Sequence, residues 1–122
     1  MSLKLLIADD EYFIRQRIKK IIPWEKLNLI FAGEAENGQQ VIDHLEKEPV
    51  DLLLLDIKMP QMNGIETARY IKEHFPSVHM LILSGYNDFE YARTVIRYGV
   101  KEYLLKPVAS EELERALSEC IQ

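Results

Sequence analysis

Val50-Asp51-Leu52-Leu53-Leu54-Leu55-Asp56-Ile57-Lys58-Met59-Pro60-Gln61-Met62-Asn63-Gly64 changes character halfway along. Its first half is a short continuous apolar run, the pattern of a strand covered on both faces, as parallel strands flanked by helices are. Its second half cannot extend that strand. Pro60 lacks an amide donor and fixes φ, and Asn63-Gly64 is a turn pair, so the chain must leave the sheet just after Asp56. Asp56 then stands at the carboxyl end of a buried strand, where open α/β sheets keep their ligand crevices.

Upstream, Leu3 to Ala8 reads as a buried strand ended by Asp9-Asp10-Glu11. A helix follows from Tyr12 to Ile22, with Phe13, Ile14, Ile18, Ile21 and Ile22 at helical spacing, until Pro23 stops it. Leu29 to Ala35 is a second strand, and Asn37-Gly38 turns it into a short helix marked by Val41, Ile42 and Leu45. Downstream of the opening stretch, Ile65, Ala68, Ile71 and Phe75 predict a helix closed by Pro76, and Val78 to Ser84 a fourth strand. Asn87 or Asp88 can cap the next helix, in which Phe89, Ala92, Val95 and Ile96 recur up to Gly99. Glu102 to Leu105 is a short fifth strand broken by Lys106-Pro107. Ser110 caps a last helix carrying Leu113, Leu117 and Ile121, with Glu111 and Glu112 where the helix dipole favours acids. Five alternations of strand and helix predict an α/β fold: a parallel sheet with helices on both faces, in one domain over residues 1–122.

At 48% hydrophobic and 29% charged residues, the composition is that of an ordinary globular domain. A formal charge of −5 argues against this domain itself gripping nucleic acid. The longest apolar runs are strand-length, so no membrane span is expected, and Met1 to Lys4 lacks the features of a signal peptide. With Cys120 as the single cysteine, no internal disulfide can form, and a cytoplasmic location is the simplest expectation. His44, His74 and His79 show no ligand spacing and are assigned no role.

All strands of a parallel sheet end on the same side, so their carboxyl ends bring distant residues together. Here those ends supply Asp9, Asp10, Asp56, Ser84 and Lys106. Three carboxylates a few ångströms apart repel one another and are stable together only with a cation. An all-oxygen site suits Mg²⁺ far better than Zn²⁺, and a dication with the Lys106 ammonium would neutralise the three acids. A carboxylate so neutralised can attack phosphorus while Lys106 and the Ser84 hydroxyl hold the phosphoryl oxygens.

Together these residues resemble the receiver domain of two-component response regulators. The matching pieces are Asp9-Asp10 after the first strand, Asp56 after the third, Pro60 and Gly64 in the loop beyond it, Ser84-Gly85, Tyr103 and Lys106-Pro107, in order along almost the whole chain. The resemblance implies the flavodoxin-like doubly wound sheet, five strands in the order 2-1-3-4-5 with five helices. It implies that Asp56 is the phosphoacceptor of a sensor histidine kinase, and that Asp10, Asp56 and the Lys58 carbonyl bind Mg²⁺, with Asp9 acting through water. Ser84 and Lys106 would contact the phosphoryl group, Tyr103 would rotate inward toward Ser84, and the Lys106-Pro107 bond would be cis. Such a domain is a phosphoacceptor assisting its own phosphorylation, not a turnover enzyme. Tyr86 would flank the route of the hydrolytic water and lengthen the phosphorylated lifetime. The Ser84 to Ala92 stretch further resembles receivers joined to an AraC-type DNA-binding output, a segment these residues do not include.

Three other readings fit less well. A nucleotide- or flavin-binding domain needs a phosphate cradle where this chain has Asp-Asp-Glu. Haloacid-dehalogenase-like phosphohydrolases carry an aspartate where this chain has Lys58. A pseudo-receiver would have lost an acid, and none is missing. The output surface is expected on the helix before Gly99, the fifth strand and the last helix, with Phe89, Tyr91, Arg93, Arg97, Tyr98, Lys101, Glu102 and Glu114, and phosphorylation-dependent homodimerisation is the expected use.

Overall fold

The computed structural model describes residues 2–85 and 89–121. Five parallel strands, β1 (Leu3–Ala8), β2 (Leu29–Ala35), β3 (Leu52–Asp56), β4 (His79–Ser84) and β5 (Glu102–Leu105), lie in the order β2-β1-β3-β4-β5. That is the expected order, which places the chain's doubly wound sheet in the flavodoxin-like class. β3 is central and buried throughout, and its leucines divide between the two faces. Leu53 and Leu55 pack with Leu6, Ala8, Val41, Ile42, Ala68 and Ile71 on one side, and Leu52 and Leu54 with Leu5, Ile7, Ile18, Leu113 and Leu117 on the other. Each such side chain contributes about 1.5–3 kcal/mol on burial, so this unbroken run of leucines anchors both layers.

The helices are α1 (Tyr12–Ile21), α2 (Trp24–Leu27), α3 (Gly38–Lys47), α4 (Gly64–His74), α5 (Phe89–Val95, continued by a 3₁₀ turn over Ile96–Tyr98) and α6 (Ser110–Ile121). Among the described residues there are six where five were expected. The extra one is the single turn α2, whose Trp24 donates from Nε1 to the Lys19 carbonyl and meets Phe31 edge-on. Asn28, left-handed at φ 57°, ends it. Four residues after a proline carry too little periodicity to be read as a helix.

Three side chains depart from the expected pattern. Phe13 is 83% exposed, because Ile14, Ile18 and Ile22 define the buried stripe of α1 and Phe13 lies about 100° off it. Ile96 is 67% exposed, because the change from α to 3₁₀ winding at that residue breaks the spacing counted from Val95. Ser110 is the first helical residue of α6, and Leu113 N–H donates to the Ala109 carbonyl, so Ala109 holds the place assigned to a serine cap. Tyr86, Asn87 and Asp88 lie outside the described residues, as do the side chains of Phe89, Tyr91 and Ala92.

Candidate functional site

The site is built from strand ends. Asp56 closes β3 at 3% exposure, and the next residue ties to the neighbouring strand through Ile57 N–H to the Leu83 carbonyl. Lys106 follows β5 and is set by its own N–H donating to the Ser84 carbonyl at 2.8 Å, with a cis Lys106-Pro107 bond after it. The loop after Asp56 must turn back at once, and Gly64 allows it. Gly64 N–H donates to the Ile57 carbonyl at 2.7 Å, and a Cβ there would meet the Asp56 carbonyl oxygen and come within 2.6 Å of Ile57 Cα. α4 starts at that point with a capping box, Asn63 accepting from Glu66 N–H and Glu66 accepting from Asn63 N–H.

Distant acids do converge. Carboxylate oxygens of Asp9, Asp10 and Asp56 all lie within 4.8 Å of one another, Asp9 and Asp56 buried and Asp10 exposed. The Lys106 Nζ bridges two of them, 2.7 Å from Asp9 Oδ2 and 3.1 Å from Asp56 Oδ1. Asp9 Oδ1 accepts from Glu11 N–H at 2.8 Å, whereas Oδ2, though ion-paired, has no well-aligned donor. One ammonium therefore faces three carboxylates. The imbalance shows in Asp56, whose carboxyl is pushed up to about 7, first by burial and then by the Asp9 charge, against the opposing pull of Lys106. Burial alone would lower the Lys106 ammonium, but its contacts with Asp9 and Asp56 outweigh that and raise it.

An all-oxygen donor set with surplus negative charge and an incompletely satisfied buried oxygen fits a hard divalent cation such as Mg²⁺. Asp10, Lys58 and Pro60 border an open depression of about 410 Å³ beside it, giving the cluster access to solvent. Ser84, wholly buried at the end of β4, has its hydroxyl hydrogen-bonded to the Tyr103 hydroxyl. Tyr103 thus already stands against Ser84 in this conformation. Glu11, read as part of the acidic run, is the N-cap of α1 without a side-chain cap bond.

Arg15 and its partner Glu34, at the site's border, escaped the sequence reading. Arg15 is 5% exposed, in phase with Ile18 and Ile22 on the buried stripe of α1, and it contacts Asp9 and Glu34. A charged residue in register with a core stripe is the signal that could have flagged it.

A doubly wound sheet with three acids, a hydroxyl and a lysine at its carboxyl edge defines a class of α/β domains with a candidate cation site, and comparison with known proteins narrows it. The model of the response regulator receiver domain family matches residues 5–118, and the chain belongs to that family. It is similar to the receiver domain of AraT, a response regulator from Geobacillus stearothermophilus: 37% identical, TM-score 0.94, covering 99% of this chain and 94% of that one. A two-component transcriptional regulator AraC from Clostridium phytofermentans ISDg is 35% identical, TM-score 0.91, over 99% and 94%. The uncharacterised transcriptional regulatory protein YesN of Bacillus subtilis (strain 168) is 38% identical over 118 residues, which is 97% of this chain and 32% of YesN. The chain spans between about a third and a half of the length of such curated relatives. Among the described residues, no helix is long and apolar enough to cross a membrane.

Proposed function

We propose that this receiver domain is a Mg²⁺-dependent phosphoacceptor switch. An oxygen of the Asp56 carboxylate attacks the phosphorus of a histidine kinase's phosphohistidine, the P–N bond breaks, and the imidazole nitrogen keeps the electron pair. The observation that carries this reading is the Lys106 ammonium bridging Asp9 and Asp56 among three clustered carboxylates. Lys106, pinned at the end of β5, turns its donors from the carboxylates to the phosphoryl oxygens as charge develops there. Asp10, Asp56 and the Lys58 carbonyl would hold the Mg²⁺, with Asp9 through water; the bound cation neutralises charge at the acids and the phosphoryl group.

Ser84 links the site to the output surface. Its hydroxyl has one proton and two lone pairs, so while it donates to a phosphoryl oxygen it can bond Tyr103 only by accepting. Phosphorylation would therefore fix the direction of the Ser84–Tyr103 hydrogen bond, and with it the position of β5. The surface above β5 exposes Ile96 and Leu105, and Arg93, Arg97 and Lys101 are exposed around them. Glu114, expected on that surface, pairs instead with Lys26 of α2 and lies on the other flank of α6. We infer a phosphorylation-dependent homodimer through Ile96 and Leu105, controlling a transcriptional output carried elsewhere in a longer protein, by likeness to the relatives. Residues 1–122 would form the single receiver domain of that protein, itself free of DNA contacts.

Beryllofluoride, a stable stand-in for the phosphoryl group, tests the site. Fluorine NMR should show bound resonances only when Mg²⁺ is present and Asp56 is intact. Bound resonances in Asp56→Asn, or none in the wild type with Mg²⁺, would remove the reading.

A further inference from the structure

The geometry points to Arg15 as a positioning residue for the metal-binding acids, held in place by Glu34, which a bulge in β2 swings onto the face of the sheet that α1 covers. This rests on the reading of Asp9, Asp10 and Asp56 as a Mg²⁺ site.

A guanidinium as buried as that of Arg15 needs a partner on each of its edges. Its Nε donates to Glu34 Oε1 at 2.8 Å and its Nη1 to the Asp9 carbonyl oxygen at 2.7 Å, while Nη2 stands 3.7 Å from Glu36. The Gln16 side chain donates to the same Glu34 oxygen at 2.8 Å, so Glu34 is gripped twice from α1. The carbonyl that Arg15 holds belongs to the peptide unit joining Asp9 to Asp10. That unit is planar, so fixing its oxygen fixes the direction in which Asp10 departs from Asp9. A rigid guanidinium fork sets the angle between Glu34 and that carbonyl, which a lysine would not.

The strand pairing shows how Glu34 comes to be there. Leu5 pairs with Phe31, but Leu6 pairs with Gly33, so Ala32 is an extra residue in β2. The shift aligns Glu34 with Ile7, whose side chain lies in the α1-facing core, and Ala35 with Ala8, which lies in the opposite one. Without the extra residue Glu34 would align with Ala8 and point away from α1. Gly33 accommodates the bulge at φ 148°, packed against the His44 ring, where a Cβ would come within 3.0 Å of Cε1. A buried ion pair is a poor device for stability alone, since its desolvation offsets much of its attraction. Placed next to the acids, it orients them.

Calorimetric titration with Mg²⁺ alone, alongside metal-free thermal melts, tests this on Arg15→Lys, Glu34→Gln, the double variant and Glu36→Gln. Each of the first two should weaken Mg²⁺ binding about tenfold, as the loss of outer-shell partners does. The double variant should be no weaker than either, because both break one linkage. Glu36→Gln should bind as the wild type does. Lower melting temperatures with wild-type Mg²⁺ affinity would show a merely structural contact and overturn the proposal; should Arg15→Lys fail to fold, Glu34→Gln carries the same test. A wild type that binds no Mg²⁺ would instead overturn the site reading, and the positioning role with it.

Discussion

Asp56 is held between opposing demands. Its carboxyl rises from an ordinary value of 3.8 to about 7, chiefly through burial and the Asp9 charge. Between those values Asp56 keeps in the folded chain a proton that it has released in the unfolded chain, so its contribution to metal-free stability falls as pH rises from about 4 to 7 and is level above. Asp56→Asn removes the charge while keeping the shape. We expect it to raise the metal-free melting temperature near pH 8, by roughly 2 kcal/mol of stability after allowance for relaxation, and to leave it nearly unchanged below about pH 4. Melts across that range check it, and a destabilised Asp56→Asn at high pH would contradict it. Mg²⁺ must displace the same proton, so its affinity should increase from about pH 6 to 8, by up to about tenfold, on calorimetry. A pH-independent affinity would place the cation elsewhere. At this scale the sequence was informative, because strand ends in a parallel sheet are predictable: Asp9, Asp10, Asp56, Ser84 and Lys106 were all legible, and the first three and Lys106 do meet. Arg15 was not, because its partner depends on a one-residue bulge that no periodicity reveals.

Elements were legible wherever the period was long and the stop signal strong. β1, β2, β3 and β5 begin and end at the residues read from the sequence, and Pro60 with Asn63-Gly64 marked the turn that follows Asp56. The spacing misled where winding changes, as at Ile96, and where a residue sits just off a stripe, as Phe13 does. Gly64 is an element-scale constraint, since α4 begins in contact with the end of β3. Gly64→Ala should cost about 1–3 kcal/mol by overpacking, visible as a fall of several degrees in melting temperature, with weaker beryllofluoride binding because the Asp56 carbonyl must shift. An unchanged melting temperature would mean the loop can yield freely. Tyr103→Phe removes the hydroxyl that completes the Ser84 pair. It should leave phosphoryl capture by Asp56 within about threefold while weakening the phosphorylation-dependent change at β5, since Ser84 keeps its own donor.

For the molecule as a whole, the sheet places the reacting edge and the output surface on neighbouring strands, with Ser84 on β4 and Tyr103 on β5 between them. The exposed Ile96 and Leu105 are the apolar part of that surface; the sequence counted Ile96 with the apolar repeat of its helix and Leu105 within the fifth strand. Beryllofluoride with Mg²⁺ should raise the apparent mass in light scattering, and Leu105→Glu should abolish the rise while leaving beryllofluoride bound. A persistent dimer in Leu105→Glu would move the interface elsewhere. As a phosphoacceptor switch, the molecule should take a phosphoryl group at Asp56 alone. Incubated with acetyl phosphate, the wild type should gain the mass of a single phosphoryl group in the presence of Mg²⁺ and none with chelator, and Asp56→Asn should gain none under either condition. A gain in Asp56→Asn equal to that of the wild type, or no gain in the wild type with Mg²⁺, would contradict it.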